Sequence, residues 1–439
     1  MKKIIACLLC SAAVLSAAAQ GNGKGEIAKT GLNFGPLPAV GYSSDLGWHY
    51  GALTDIFWYG DGSVYPDYMW KANVEASWYS KGNSVYHAFF DSKYLIPGIR
   101  VSADLTYLGN KTTSFYGFNG AASYYNKEWD KITDGRGFYL MRRDVFRIEL
   151  TAQGKIGQSN WGWVAGTAYN HYRTGAAENK DITDATSLYN IYVENGVIPE
   201  QEKNGGRHLE FKAGVVYDTR DHENNPSRGS NLELFVYGSP DFLNGDRADK
   251  NYKNHYLKMA VHYKQFFTLV QDRLVFGGHL AYQGLLAGKA PFYTLQTIQP
   301  INRKNIITDG LGSTNTIRGT VANRLQGESY AWANFELRWS FARFRMWNQN
   351  FILATNPFFD MGMVVRPYHL DEMKQFHNIN SALISSLYTG ENEKLHMGAG
   401  AGLHIIMNQN FNINFELGKC LDKNDGEGLG INIGLNYIF

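Results

Sequence analysis

The stretch Leu429-Gly-Ile-Asn-Ile-Gly-Leu-Asn-Tyr-Ile-Phe439 ends the chain and alternates apolar residues with small or polar ones, with only Ile438 out of pattern. In an extended strand this period of two puts Leu429, Ile431, Ile433, Leu435, Tyr437 and Phe439 on one face. Gly430, Asn432, Gly434 and Asn436 fall on the other. Such a strand needs apolar surroundings outside and polar ones inside, and a membrane barrel supplies both.

The opposite end is consistent with export. Lys2 and Lys3 precede a short apolar run from Ile4 to Leu15, which leads to Ala17-Ala18-Ala19, a small-residue cleavage pattern. Residues 1–19 are therefore expected to be a signal peptide for the general secretory route, with Gln20 as the mature N-terminus. Cys10 raises a lipoprotein reading, but Leu9 precedes it instead of a small residue, and the apolar run continues past it. With Cys7 and Cys10 in the leader, Cys420 is the one mature cysteine, and no intramolecular disulfide is possible.

Composition narrows the class. Aromatics make up 14% of the chain, with 28 Tyr, 25 Phe and 10 Trp, beside 47 Gly and only 11 Pro. Outer-membrane barrels place aromatics at both interfaces and small residues on crowded inner walls. The mean hydropathy of −0.33 is compatible with this, since only every second strand residue meets lipid. After the leader no apolar run approaches 18 residues, which excludes helical spans. Of the 42 basic residues Lys2 and Lys3 leave with the leader, so the mature chain balances its 40 acidic ones. Neutrality argues against nucleic acid as a partner.

Period-two segments run almost end to end. Trp70, Ala72, Val74, Ala76 and Trp78 alternate with Lys71, Asn73, Glu75, Ser77 and Tyr79. Similar alternation occurs in Leu209–Asp218, Ala331–Trp339 and Phe411–Leu417. Charges keep to one face, which marks the lumen, because a charge facing mid-bilayer lipid costs roughly 2–4 kcal/mol. Further candidates at Phe34–Tyr42, Gly47–Tyr59, Ser84–Ser92, Arg100–Leu108, Tyr139–Ala152, Trp161–Tyr172, Asn231–Tyr237, Tyr256–Leu269, Arg273–Gly284, Phe351–Val365 and Leu395–Met407 bring the total to about sixteen, an even number as single-chain barrels require. Short links such as Gln153–Asn160, Gln271-Asp272 and Asn408–Asn410 belong on the periplasmic side. Long ones, about Gly109–Phe138, Thr174–Arg207, Leu285–Tyr330 and Arg366–Lys394, belong outside. The predicted fold is an all-β transmembrane antiparallel barrel over residues 32–439, preceded by a short tail at 20–31.

Three motifs, taken in order, carry a family resemblance. Tyr217-Asp218-Thr219-Arg220-Asp221 followed by Asn225-Pro226-Ser227-Arg228-Gly229 reads as strand, turn and strand; Ile317-Arg318-Gly319-Thr320 lies in a long loop; Phe358-Phe359-Asp360-Met361-Gly362 lies on a late strand. Together they resemble the barrel of the BamA/TamA group of outer-membrane assembly factors, the bacterial surface antigen domains. The resemblance implies that the long loop folds into the lumen and that Arg318 pairs with Asp360, with Glu336 nearby. Pattern alone turns Asp360 inward with Phe358 and Gly362, and Gly362 leaves room for a folded loop. The family has an aromatic after Arg-Gly where this chain has Thr320, which predicts a looser anchor. The pairing reads either as a gate or brace or as an internal ion pair filling the lumen.

The first strand holds Pro36 and Pro38, each without an N–H donor, and the last holds Gly430 and Gly434. Closure of first on last is thus expected to be weak, at the junction where the resemblance places the seam engaging substrates. Alternatively Pro36 ends the tail and the strand begins at Ala39. Phe439 reads as an assembly signal, since terminal aromatics resemble the tag recognised by the barrel assembly machinery.

Other apparent sites carry little. Gly398-Ala-Gly-Ala-Gly402 lacks a following helix and marks a crowded wall rather than a nucleotide loop. Ser313 lacks a nucleophile-elbow setting. The 12 His are scattered, so no metal or other cofactor is expected. Arg143, Arg147 and Glu149 share one face and fit a charged inner wall.

The expected function is that of a non-enzymatic outer-membrane barrel of a Gram-negative cell, aiding insertion or translocation of protein or lipid; the alternative is a passive pore. Expected partners are outer-membrane lipids and lipopolysaccharide, unfolded membrane-protein clients, and the assembly machinery through the C-terminal strand. The tail is too short for the POTRA domains that usually precede such barrels, which predicts no arm for receiving clients.

Overall fold

The computed structural model of the protein describes residues 27–43, 47–133, 137–178, 186–246, 254–300, 310–312, 316–435, 437 and 439. The expected signal peptide and the tail up to residue 26 lie outside the described residues. Alternating sequence becomes a single up-and-down antiparallel sheet. Its first half comprises β1 (Leu32–Ser43), β2 (Gly47–Trp58), β3 (Trp70–Tyr79), β4 (Ser84–Ile96), β5 (Ile99–Gly109), β6 (Thr113–Ser114), β7 (Leu140–Lys155), β8 (Trp161–Ala176) and β9 (Gly206–Asp218). The second half comprises β10 (Gly229–Ser239), β11 (Asn244–Asp246), β12 (Tyr256–Val270), β13 (Leu274–Gly288), β14 (Ser329–Met346), β15 (Gln349–Arg366), β16 (His396–Met407), β17 (Phe411–Cys420) and β18 (Gly430–Leu435). The short β6 and β11 belong to loops, so the remaining strands are the sixteen expected from the sequence. Most run a few residues past the expected ends.

Side chains sort by parity. On β15 the inward Asn350, Ile352, Ala354, Asn356, Phe358, Asp360, Gly362 and Val364 are all buried, while their neighbours are partly or fully exposed. Outward positions elsewhere are apolar: Val74, Trp78, Leu105, Ile148, Leu150, Phe267 and Leu280 are exposed large hydrophobics, in keeping with contact with lipid. Arg143, Arg147 and Glu149 are buried on the inner wall, opposite Ile148 and Leu150. Arg147 pairs with Asp104 at 2.8 Å and Lys212 with Glu149 at 2.6 Å, so the lumen charges neutralise one another across strands.

The long loops on one end pack together instead of standing apart. Phe115, Phe118 and Phe138 from the loop after β5, Leu188, Ile191 and Tyr192 from the helix α1 (Leu188–Glu194), Phe292 and Leu295 after β13, and Tyr368 and Phe376 after β15 form one buried apolar cluster. A soluble-style core thus caps the end of the barrel that carries the long loops.

The C-terminus departs from its sequence pattern. Ile431 and Ile433 are exposed on the outer face as predicted, but the regular strand ends at Leu435. Tyr437 is buried, stacked 4.3 Å from His404, and Phe439 stacks 5.4 Å from His279 and 6.0 Å from Phe266. Both aromatics therefore lie in the lumen, not on the outer face with Leu429. Arg338 decides this: its guanidinium lies 3.8 Å over the Tyr437 ring, and Nη2 donates to the Phe439 carbonyl oxygen at 2.9 Å.

At the periplasmic end the turn between β9 and β10 shows why its motif has its residues. Asp221 accepts from the Ser227 amide at 2.9 Å, the Arg228 amide at 3.2 Å and the Ser227 hydroxyl, and Asp218 holds Arg220 at 2.7 Å. Pro226 is buried within the turn and Tyr217 packs on Trp161 at 5.1 Å. Gly229 has φ +98, and a Cβ there would stand 2.3 Å from the Thr219 carbonyl oxygen. Partial burial works against the Asp221 charge, but the Ser227 and Arg228 donors outweigh it and hold the carboxyl below its ordinary range. A depressed carboxyl stabilises the fold above the ordinary aspartate pKa, and that contribution fades as pH falls through the depressed value. Asp221→Asn should cost about 1 kcal/mol near neutrality. The difference from wild type in urea midpoint should narrow below about pH 4.

The lumen anchor and the seam

The loop between β13 and β14 enters the barrel and presents Arg318, which is only 2% exposed. Its Nε donates to Asp360 Oδ2 at 2.7 Å and its Nη2 to Asp360 Oδ1 at 2.9 Å, a bidentate pair, and its backbone amide donates to the same carboxylate at 3.0 Å. Nη1 reaches Glu336 Oε1 at 2.7 Å and Glu416 Oε1 at 2.8 Å. The guanidinium plane sits 3.6 Å over the Phe358 ring. The structure thus brings Arg318, Asp360 and Glu336 together as expected. It adds Glu416, the one acid on the polar face of β17, and Arg338, whose Nε holds Glu336 at 2.8 Å. Asn334 and Asn356 also donate to the carboxylates, at 2.9 Å and 3.2 Å.

Close backbone approach completes the anchor. Gly319 has φ +97, and a Cβ on it would lie 2.4 Å from the Lys419 nitrogen. A Cβ on Gly398 would stand 2.0 Å from the Arg318 carbonyl oxygen, and one on Gly362 2.8 Å from the Ile317 side chain. The glycine-rich stretch of β16 is therefore a wall crowded by the loop. Gly430, expected at the seam, also faces this loop, its would-be Cβ 3.4 Å from Gly319 Cα. Thr320 replaces the family's aromatic without loosening the turn, because its hydroxyl donates to the Ile317 carbonyl at 2.8 Å.

The seam lies between β1 and β18, which run side by side. β1 pairs with β2 along its whole length, Pro36 opposite Thr54 and Pro38 opposite Ala52, so the strand begins at Leu32 and not at Ala39. Two residues apart, the prolines withhold donors from one and the same edge. Among the described residues no ladder joins β1 to β18, and β18 holds six residues where a membrane strand needs roughly 9–11. Gly434 is its penultimate residue, with a Cβ position 3.2 Å from Asn414.

An antiparallel wall of sixteen long strands with an apolar outer belt, an ion-paired lumen and a loop pinned inside it defines an outer-membrane β-barrel with an in-folded loop. The chain belongs to the Omp85 superfamily: the profile of the Omp85 superfamily domain matches residues 70–439. Among solved structures the fold is similar to that of BamA from Haemophilus ducreyi lacking POTRA domains 1-3, at 15% identity and a TM-score of 0.53, over 93% of this chain and 70% of that one. It is also similar to CdiB from Escherichia coli, at 11% identity and a TM-score of 0.52, over 92% of this chain. The chain spans 61% of the length of that CdiB chain. No curated protein sequence matches it.

Arg318→Ala would leave three buried carboxylates facing one another and should cost about 3–5 kcal/mol in urea unfolding from lipid vesicles. Arg318→Lys keeps the charge but loses the planar fork, so it should fall between the two. Gly398→Ala, which drives a methyl into the loop backbone, should cost about 1–3 kcal/mol and should free the loop for limited proteolysis.

Proposed function

We propose that the barrel aids insertion or translocation of polypeptide or lipid at the outer membrane, by parting β1 from β18. The observation that carries this reading is the seam itself, two adjacent strands that no ladder joins among the described residues, in a wall whose other long strands are paired with both neighbours. An unpaired strand edge is a template for another extended chain. Membership of the Omp85 superfamily supports the same reading. The substrates it implies are unfolded membrane-protein segments or lipids, including lipopolysaccharide, that meet the bilayer at the opened edge. No catalytic step is required, because strand exchange and lateral release conserve covalent bonds. Phe439 would act during the protein's own biogenesis, as a terminal aromatic read by the assembly machinery before it docks on Arg338.

A passive pore would need a continuous water path. The apolar cap, the Arg318 loop and the Tyr437–Phe439 segment all cross the lumen, which favours the seam over the channel. In planar bilayers, purified protein should therefore give small, flickering currents; a steady large conductance would establish the pore. A disulfide between a cysteine placed within Phe34–Gly41 and one within Gly430–Asn436, in a Cys420→Ser background, should abolish complementation of a deletion strain and recover it on reduction. Full complementation by the locked barrel would remove the seam mechanism.

A further inference from the structure

The segment before β1 ends up far from where β1 alone would put it. At the base of β1 and β2 the Gly31 amide donates to the Gly60 carbonyl and the Tyr59 amide to the Gly31 carbonyl. Four residues earlier, the Ile27 amide donates to Asn350 Oδ1 at 3.1 Å and the Ile27 carbonyl accepts from Asn350 Nδ2 at 3.1 Å. Lys29 is buried, with its ammonium on the Asn348 carbonyl. Asn348 and Asn350 belong to the turn and first residues of β15, so the segment connects β15 to β1 across the periplasmic ends of β16, β17 and β18.

Lengths fix its path. Around the wall those four strand intervals amount to about 19 Å. Four residues reach at most about 14 Å, and the asparagine side chain supplies the rest. Four residues are too short to follow the wall, so the segment cuts across the inside of the mouth. The loop between β2 and β3 reinforces it: the Asn350 amide also donates to the Tyr65 hydroxyl at 3.3 Å, and Asn410, at the base of β17, donates to Tyr59 and Pro66 at 3.1 and 2.6 Å.

We infer that Ile27–Thr30 and Asn350 form a strap that holds the periplasmic end of the seam shut. This deepens the seam reading above and rests on it. Inserting one further strand between β1 and β18 moves them apart by about 5 Å. With four residues between its anchors the strap has at most about 14 Å of backbone with which to follow that movement, so parting the strands at this end pulls on the Ile27–Asn350 pair, and either Ile27 leaves Asn350 or the seam opens only at its extracellular end. The Ile27–Asn350 pair is then the release point, placed where a periplasmic ligand or client reaches it before it reaches the seam.

The test places spin labels at Phe34→Cys on β1 and Ile433→Cys on β18, both exposed on the outer face, in the full chain with Cys7, Cys10 and Cys420 replaced by serine. With the strap intact, pulsed dipolar spectroscopy in lipid vesicles should give one narrow distance. Asn350→Ala should broaden it and add a population about 5 Å longer, and Asn350→Asp, which keeps the acceptor for Ile27, should fall between. Should Asn350→Ala fail to fold, Ile27→Pro removes the N–H that donates to Asn350 Oδ1, ahead of the first strand, and should shift the distance in the same direction. An unchanged distance in the folded variants overturns the strap, whatever their transport activity. A lengthened distance with no change in client or lipid handling leaves the strap standing and removes the translocation reading instead.

Discussion

A guanidinium buried among three carboxylates organises this barrel. Each of those carboxylates would be costly to bury alone, and three facing one another in the lumen would repel. Arg318 reconciles them by meeting Asp360 on β15, Glu336 on β14 and Glu416 on β17 with one planar group, and Arg338 supplies the second positive charge. The loop cannot leave without exposing that set, so its position follows from electrostatics more than from its own conformational preference.

Space for the anchor is made by the wall. Gly398 and Gly418 lie where the loop backbone touches the strands, and side chains there would collide with it; Gly362 makes room for the Ile317 side chain, and Gly430 faces Gly319 at contact distance. The same small residues line the strands that lead to the seam. Anchor and seam are thus connected physically: the loop that braces the lumen rests on the strands next to the opening.

The lumen is filled from both ends and from the terminus. Extracellular loops supply an apolar core, the Arg318 loop occupies the middle, Tyr437 and Phe439 fold in on His404, His279 and Arg338, and the segment Ile27–Thr30 crosses the mouth. These contacts stabilise the fold and fill the lumen at the same time.

Period-two alternation and the confinement of charges to one face determined the barrel, its sixteen long strands and the inward direction of Asp360, because a lipid-facing charge is so costly that sequence must obey the pleat. The motif order pointed to Arg318 with Asp360 and Glu336. Glu416 was visible as the one acid on an otherwise neutral strand face, but its role was not, since cross-strand distances depend on which strands adjoin. Tyr437 and Phe439 continued the outer-face pattern perfectly and nevertheless turned inward, because the Arg338 guanidinium that receives them stands some hundred residues away in the chain. The strap was equally silent in sequence: Ile27 and Asn350 lie 323 residues apart, and only closure of the wall brings the base of β15 within reach of the residues before β1. Local periodicity fixes what each strand shows to lipid and lumen; what crosses the lumen is decided by groups that meet only after the sheet has curled.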